Sequence, residues 1–149
     1  MTNSDDRLVL VERDGYAAIL TLNRPAKKNA MSDALLGQLI AAIRAANADD
    51  AVRAIIVTGA GSCFTAGRDI TQFDQKAILQ DGSVDRTVDI FLETLTLLME
   101  SPKPTIAAIH GVALGGGQAM SLACDFVVAE AGAKFGNVEM AYGFPAAMN

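Results

Sequence analysis

The chain has 149 residues, 51% of them hydrophobic, and a formal net charge of −5 at pH 7, with a mean hydropathy of +0.29. That acidic balance argues against a nucleic-acid or anionic-membrane partner, because both reward a basic face. No apolar run approaches the ~20 residues of a spanning helix, and the polar start from Met1 to Arg7 lacks the core of a signal peptide, so a cytoplasmic, single-domain protein is expected over residues 1–149.

Leu8 to Glu12 and Ala17 to Leu22 alternate or run apolar on either side of Asp14-Gly15, which predicts a β-hairpin stopped by Asn23-Arg24-Pro25. Ser32 is placed to cap a helix with Asp33 in its first turn. Leu35, Leu36, Leu39, Ile40 and Ile43 then recur on one face, and the helix frays near Asn47 to Asp50. Ala54 to Thr58 has the composition of a strand covered on both faces, and a loop from Gly59 to about Asp74 follows. After a turn at Asp81-Gly82-Ser83, Val88, Phe91, Leu92, Leu95, Leu98 and Met99 mark a second amphipathic helix, which Ser101-Pro102-Lys103-Pro104 must end. Thr105 to Ile109 is then a strand, Gly115 to about Ala123 a helix, Phe126 to Ala129 a strand, and Lys134-Phe135 a short extended piece. Such alternation is that of an α/β fold with helices layered on a sheet.

The glycines Gly115 to Gly117, directly after a β-run, leave helix-start N–H groups unshielded by side chains. Those donors suit a phosphate or the oxyanion of an enolate, and the same small residues suit close packing of a helix on a strand. A dinucleotide fingerprint fails twice, because Phe64 and Met120 stand where a third glycine or alanine belongs. Gln118 after Gly117 excludes a P-loop, and the sequence holds no Gly-x-Ser-x-Gly elbow. Cys63 and Cys124 fit neither a Cys-x-x-Cys pair nor a disulfide framework and are expected reduced and structural. With one histidine, no metal site is expected. Taken singly, Glu139 reads as a solvated surface carboxylate, His110 as a hydrogen-bonded, partly buried ring, and Asp69 and Asp125 as loop anchors. The methionines read as packing. Arg24, Lys27 and Lys28 cluster in one loop and Arg68 lies in another, local positive charge of the kind a small anionic ligand needs.

Several motifs in order carry a resemblance over nearly the whole chain. They are Leu22-Asn23-Arg24-Pro25 with Asn29-Ala30-Met31, Ile56 to Gly61 with Ala66-Gly67-Arg68-Asp69-Ile70, Lys103 to Gly111 with Gly115-Gly116-Gly117, Ala123-Cys124-Asp125, and Lys134-Phe135-Gly136-Asn137-Val138-Glu139. Together they resemble the crotonase superfamily, the enoyl-CoA hydratase/isomerase family. The resemblance implies a crotonase-like spiral of ββα repeats that binds an acyl-CoA thioester, with coenzyme A entering as part of the substrate and no separate cofactor. It implies an oxyanion hole made by the backbone N–H groups of Arg68 and Gly116, with Glu139 as the acid/base. Substrate contacts would come from Lys28, Ala30, Ala66, Gly67, Asp69, Ile70, Gly111, Leu114, Gly115 and Gly143. It further implies a homo-oligomer, a trimer or a dimer of trimers. The Arg68 side chain, not needed for its N–H, is expected to meet the coenzyme or to pair with Asp69.

Two departures from the family pattern matter. Family hydratases resemble one another in carrying a glutamate two residues beyond the glycine triplet, and here that position is Ala119. Hydration needs a group to activate water and a group to handle the α-proton, whereas moving a double bond from the 3- to the 2-position can use one carboxylate. One glutamate therefore favours isomerisation, with hydration or non-catalytic acyl-CoA binding as alternatives. Val138, Met140, Tyr142 and Phe144 offer the apolar surroundings that would raise the pKa of such a base. The second departure is the ending at Asn149, which is expected to omit the family's C-terminal helical region.

Overall fold

The structure, a computed structural model, describes residues 7–72 and 86–138, with residues 86–89 as backbone only. The expected hairpin forms from β1 (Val9–Asp14) and β2 (Ala17–Leu22), which pair antiparallel about Gly15. Gly15 takes φ +55, the left-handed conformation that a two-residue hairpin turn requires. Then α1 (Asp33–Ala48) starts where Ser32 caps it, its hydroxyl accepting from the Leu35 amide at 3.3 Å. The strand β3 (Ala54–Gly59) and the helix α2 (Arg86–Met99) follow. Beyond them lie β4 (Thr105–Ile109), β5 (Val112–Leu114), α3 (Gly116–Leu122), β6 (Phe126–Ala129) and β7 (Lys134–Gly136).

The main sheet has five strands in the order β1-β2-β3-β4-β6, with every pair after the hairpin parallel. Parallel neighbours need crossovers, and α1, α2 and the β5–α3 unit supply them. The core lies on one sheet face. Leu20, Leu22, Ile55, Val57, Ala107 and Ile109 pack there with Leu35, Leu39 and Ile43 of α1, Phe91, Leu95 and Leu98 of α2, and Met120 of α3. Burying each of the larger of these side chains, Ala107 excepted, stabilises the fold by roughly 1.5–3 kcal/mol.

One expectation needs correction. β3 is fully covered on one face, but Ile56 and Thr58 on the other are only half-buried, because the three α-helices among the described residues contribute to the same core cluster. The sequence also underestimates the glycine-rich region. Val112–Leu114 is a strand, paired parallel with β7 in a separate two-stranded sheet, and α3 begins one residue later than expected, with Gly115 as its N-cap. Two isolated parallel rungs, Met31 with Arg68 and Thr65 with Ala113, continue this second layer beside the main sheet. The turn at Asp81-Gly82-Ser83 and the side chain of Val88 lie outside the described residues, as do Glu139, Gly143 and the rest of 139–149. Among the described residues no helix is long and apolar enough to cross a membrane.

Candidate active site

The second layer brings together segments 28–31, 64–69 and 110–116. At its centre is Asn29, fully buried and held at φ +54 directly after Lys28 at φ +48. Asparagine tolerates this left-handed conformation better than most residues. Its Nδ2 donates towards the carbonyls of Ala60, Cys63 and Phe64 at 2.8, 2.8 and 3.1 Å, and its Oδ1 accepts from the Arg24 amide at 3.0 Å. Sequence reasoning missed this hub. The signal was an amide side chain in a basic loop, a type enriched at positive φ, but no periodicity marks it.

From Asn29 the segments are laced edge to edge. On one side of segment 64–69, the Ala66 amide donates to the Lys28 carbonyl at 2.9 Å, the Met31 amide to the Gly67 carbonyl at 2.8 Å, and the Asp69 amide to the Met31 carbonyl at 3.1 Å. On the other side, the Phe64 and Thr65 amides donate to the carbonyls of His110 and Val112 at 2.8 and 3.1 Å, and the Leu114 amide donates to the Thr65 carbonyl at 3.2 Å. Peptide groups alternate in direction along an extended strand. Because Gly67 C=O and Asp69 N–H both face Met31, the Arg68 N–H projects to the opposite edge, the side on which residues 112–116 lie.

Gly116 is the first residue of α3, so its N–H has no acceptor within the helix. Gly115, at φ +50, turns the chain into that helix, and its own N–H donates to the Gly136 carbonyl at 2.7 Å. Gly67 packs directly against this turn. A Cβ on it would stand 2.7 Å from the Leu114 oxygen and 3.6 Å from the Gly116 nitrogen. The glycines also serve packing, since a Cβ on Gly117 would stand 2.5 Å from Thr65 Cγ2. Both readings of the glycine triplet therefore have residues to support them.

The charged side chains depart from expectation. Arg68 pairs with Asp33 at 2.8 Å and donates to the Met31 carbonyl at 2.9 Å, while Asp69 pairs with Arg24 at 3.0 Å. The cause is the alternation just described. Consecutive residues on an extended strand point to opposite sides, so Arg68 and Asp69 find different partners. With Arg24 and Arg68 turned inward to these contacts, Lys27 and Lys28 are the exposed cations of the basic loop.

Asp69 anchors its loop as expected. Hydrogen bonding from the Thr71 hydroxyl, helped by Arg24 and the Thr71 amide, outweighs partial burial and holds its carboxyl below the usual carboxylate value. A lowered folded pKa gives stability that is present above the ordinary aspartate value of about 3.9 and is lost as pH falls through the lowered one. Urea-unfolding midpoints measured across that acid range are expected to fall less steeply in Asp69→Asn than in the parent chain.

Of the other sequence-predicted contacts, Lys28 and Ile70 are exposed, and Gly67 and Gly115 are buried. Ala30, Ala66, Asp69, Gly111 and Leu114 are half-buried. All but Ile70, which directly follows the second, lie on the three laced segments. Elsewhere His110 Nε2 lies 3.2 Å from the Gly61 carbonyl, and Asp125 accepts from the Thr105 amide and hydroxyl at 2.8 and 3.0 Å. Both cysteines are free and buried. Burial raises both thiols, Cys124 to about 11, which makes them poor nucleophiles.

Comparison with known proteins gives the same architecture a family. The family profile described as enoyl-CoA hydratase/isomerase matches residues 12–149. The chain belongs to the enoyl-CoA hydratase/isomerase family. It is 39% identical over 135 residues to a protein named probable enoyl-CoA hydratase of Rhizobium meliloti (strain 1021), covering 91% of this chain and 51% of that one. It is 36% identical over 135 residues to the 2,3-dehydroadipyl-CoA hydratase of Escherichia coli (strain K12), with the same two coverages. The crystal structure of an enoyl-CoA hydratase/isomerase from Xanthobacter autotrophicus Py2 superposes with a TM-score of 0.83 at 36% identity, covering 91% of this chain and 51% of that one. The chain thus spans about half the length of these family members.

Proposed function

We propose that this chain forms the thioester-activating core of an acyl-CoA enzyme. In it the Arg68 and Gly116 amides donate to one thioester carbonyl oxygen, and Glu139 moves a proton at the adjacent carbon. The observation that carries this reading is the joining of two segments distant in sequence. The Thr65–Ala113 rung sets 64–69 beside 112–116, and the Arg68 N–H projects to the Gly116 side. Withdrawal of the C2 proton of an acyl-CoA drives negative charge onto the thioester oxygen, and preorganised N–H donors stabilise that charge far better than water does. Lys27 and Lys28, exposed beside this layer, meet the phosphates of the coenzyme, which arrives as part of the substrate. The enzyme works in the cytoplasm as a homo-oligomer, a trimer or a dimer of trimers.

Isomerisation of a 3-enoyl-CoA to the 2-enoyl-CoA fits the carboxylate inventory best. The seven residues of α3 include no acid, and Ala119 is buried in the core; Glu139 takes the C2 proton and returns it at C4. Hydration is the second reading, favoured by the names of the relatives cited above. Mixing the protein with a 3-enoyl-CoA is expected to produce the absorbance of the conjugated thioester. Water addition to a 2-enoyl-CoA without any isomerisation would establish hydration instead, and calorimetric binding with neither reaction would leave an acyl-CoA carrier.

A further inference from the structure

The Arg68 side chain has a place in the site that its backbone role does not require. Its guanidinium donates to Asp33 Oδ1 at 2.8 Å and to the Met31 carbonyl at 2.9 Å, lies 5.9 Å above the Phe91 ring, and is almost wholly buried. Its stem crosses the face of Gly116. A Cβ built on Gly116 would stand 3.3 Å from Arg68 Cγ, with Met31 Cε and Phe91 Cζ at 3.2 and 3.1 Å completing the wall. One side chain therefore leaves the strand that presents the Arg68 amide, bears on the residue that presents the second amide, and ends on the first turn of α1. Asp33 is itself fixed, its amide donating to Gln72 Oε1 at 2.9 Å, one residue after the Ser32 cap.

We propose that the Arg68 side chain, anchored by Asp33, is a positioning residue that sets the separation of the Arg68 and Gly116 amides. The inference rests on the acyl-CoA reading above. Gly116 has no side chain with which to hold its own distance from segment 64–69, and the three nearest atoms around its Cβ position belong to the side chains of Phe91, Met31 and Arg68. Of these three, Arg68 carries the charge. A planar guanidinium held by the Met31 carbonyl and Asp33 among its partners is stiff in a way that a lysine ammonium or a methionine is not. Misplacing a catalytic donor by about 1 Å can cost about 100-fold in rate without much change in ground-state binding.

A conjugated arylacyl-CoA such as cinnamoyl-CoA reports on the separation, because its absorption moves to the red when donors polarise the thioester carbonyl. The parent protein is expected to bind it and show the red shift. Arg68→Met and Arg68→Lys should bind it within a few-fold of the parent, lose most of the shift, and lower kcat about 100-fold at little changed KM. Should the Arg68 variants fail to fold, Asp33→Asn, at a side chain 41% exposed, keeps the shape, weakens the anchor and is expected to reduce the shift and kcat in the same direction. A full red shift and parental kcat in folded Arg68→Met or in Asp33→Asn would overturn the positioning role while leaving the acyl-CoA reading intact. Failure of the parent itself to bind cinnamoyl-CoA or to polarise it would overturn that reading, and this role with it.

Discussion

Replacing Glu139 with glutamine is expected to lower isomerisation of a 3-enoyl-CoA by a factor of about a hundred to ten thousand while leaving acyl-CoA affinity within a few-fold of the parent. Glutamine keeps the size and hydrogen-bonding reach of glutamate but cannot accept the C2 proton at neutral pH. The two amides proposed to hold the thioester oxygen belong to other segments and are untouched by the change. The main chain supports this division of labour. β7 ends at Gly136, three residues before Glu139, and its carbonyl accepts the Gly115 amide at 2.7 Å, so the strand leading to the glutamate is tied to the turn that presents Gly116. Single-turnover kinetics beside calorimetry with a saturated acyl-CoA separates the two effects. Undiminished turnover would remove Glu139 from the chemistry.

Gly67→Ala is expected to damage stability and catalysis together. Gly67 lies at φ +101, where an L side chain is strained, and the new Cβ would stand 2.7 Å from the Leu114 carbonyl oxygen. That neighbour is backbone, in a residue whose amide donates to the Thr65 carbonyl at 3.2 Å, so it cannot swing aside as a side chain would. Overpacking of this kind typically costs 1 to 3 kcal/mol of stability, and the only relief available is to part segment 64–69 from the turn at Gly115 and Gly116. Parting them withdraws at least one donor from the thioester oxygen, worth about 2.7–4 kcal/mol in the transition state, so kcat should drop at least about 100-fold even in the molecules that remain folded. Gly37→Ala is the matched control. It sits on the exposed side of α1 with nothing within 4 Å of its Cβ position, and alanine there should stabilise the protein by roughly 0.5–1 kcal/mol with unchanged activity. Thermal unfolding and steady-state rates on the two variants test the contrast. Equal behaviour would mean that Gly67 is not the contact between the two loops.

What the sequence revealed and what it hid follow from the range of the interactions involved. The hairpin, α1 and the strands β3, β4 and β6 announce themselves because each is a run of apolar residues with its own period and its own stop signals, such as Ser32 before α1 and Pro102 after α2. The second layer does not. β5 and β7 are three residues each, and the Met31–Arg68 and Thr65–Ala113 rungs pair single residues 37 and 48 positions apart, too short for any periodicity. For the same reason Arg68 could not be matched with Asp33 from the sequence. Its neighbour Asp69 is adjacent in the chain, but the alternation of an extended strand sends the two side chains apart, and only the placement of α1 against this strand supplies the partner. The positions of the site glycines were legible because three in a row after a β-run is unusual. Which of them packs and which presents an amide depended on Thr65 lying 2.5 Å from where a Gly117 side chain would begin.

In the proposed mechanism the amides of Arg68 and Gly116 share one thioester oxygen. A crystal structure of the protein with a saturated acyl-CoA, which binds but has no double bond to move, tests it most directly. The carbonyl oxygen is expected at about 2.7–3.1 Å from both nitrogens at once. An ordered acyl-CoA whose carbonyl oxygen meets only one of the two amides, or points into solvent, would contradict it.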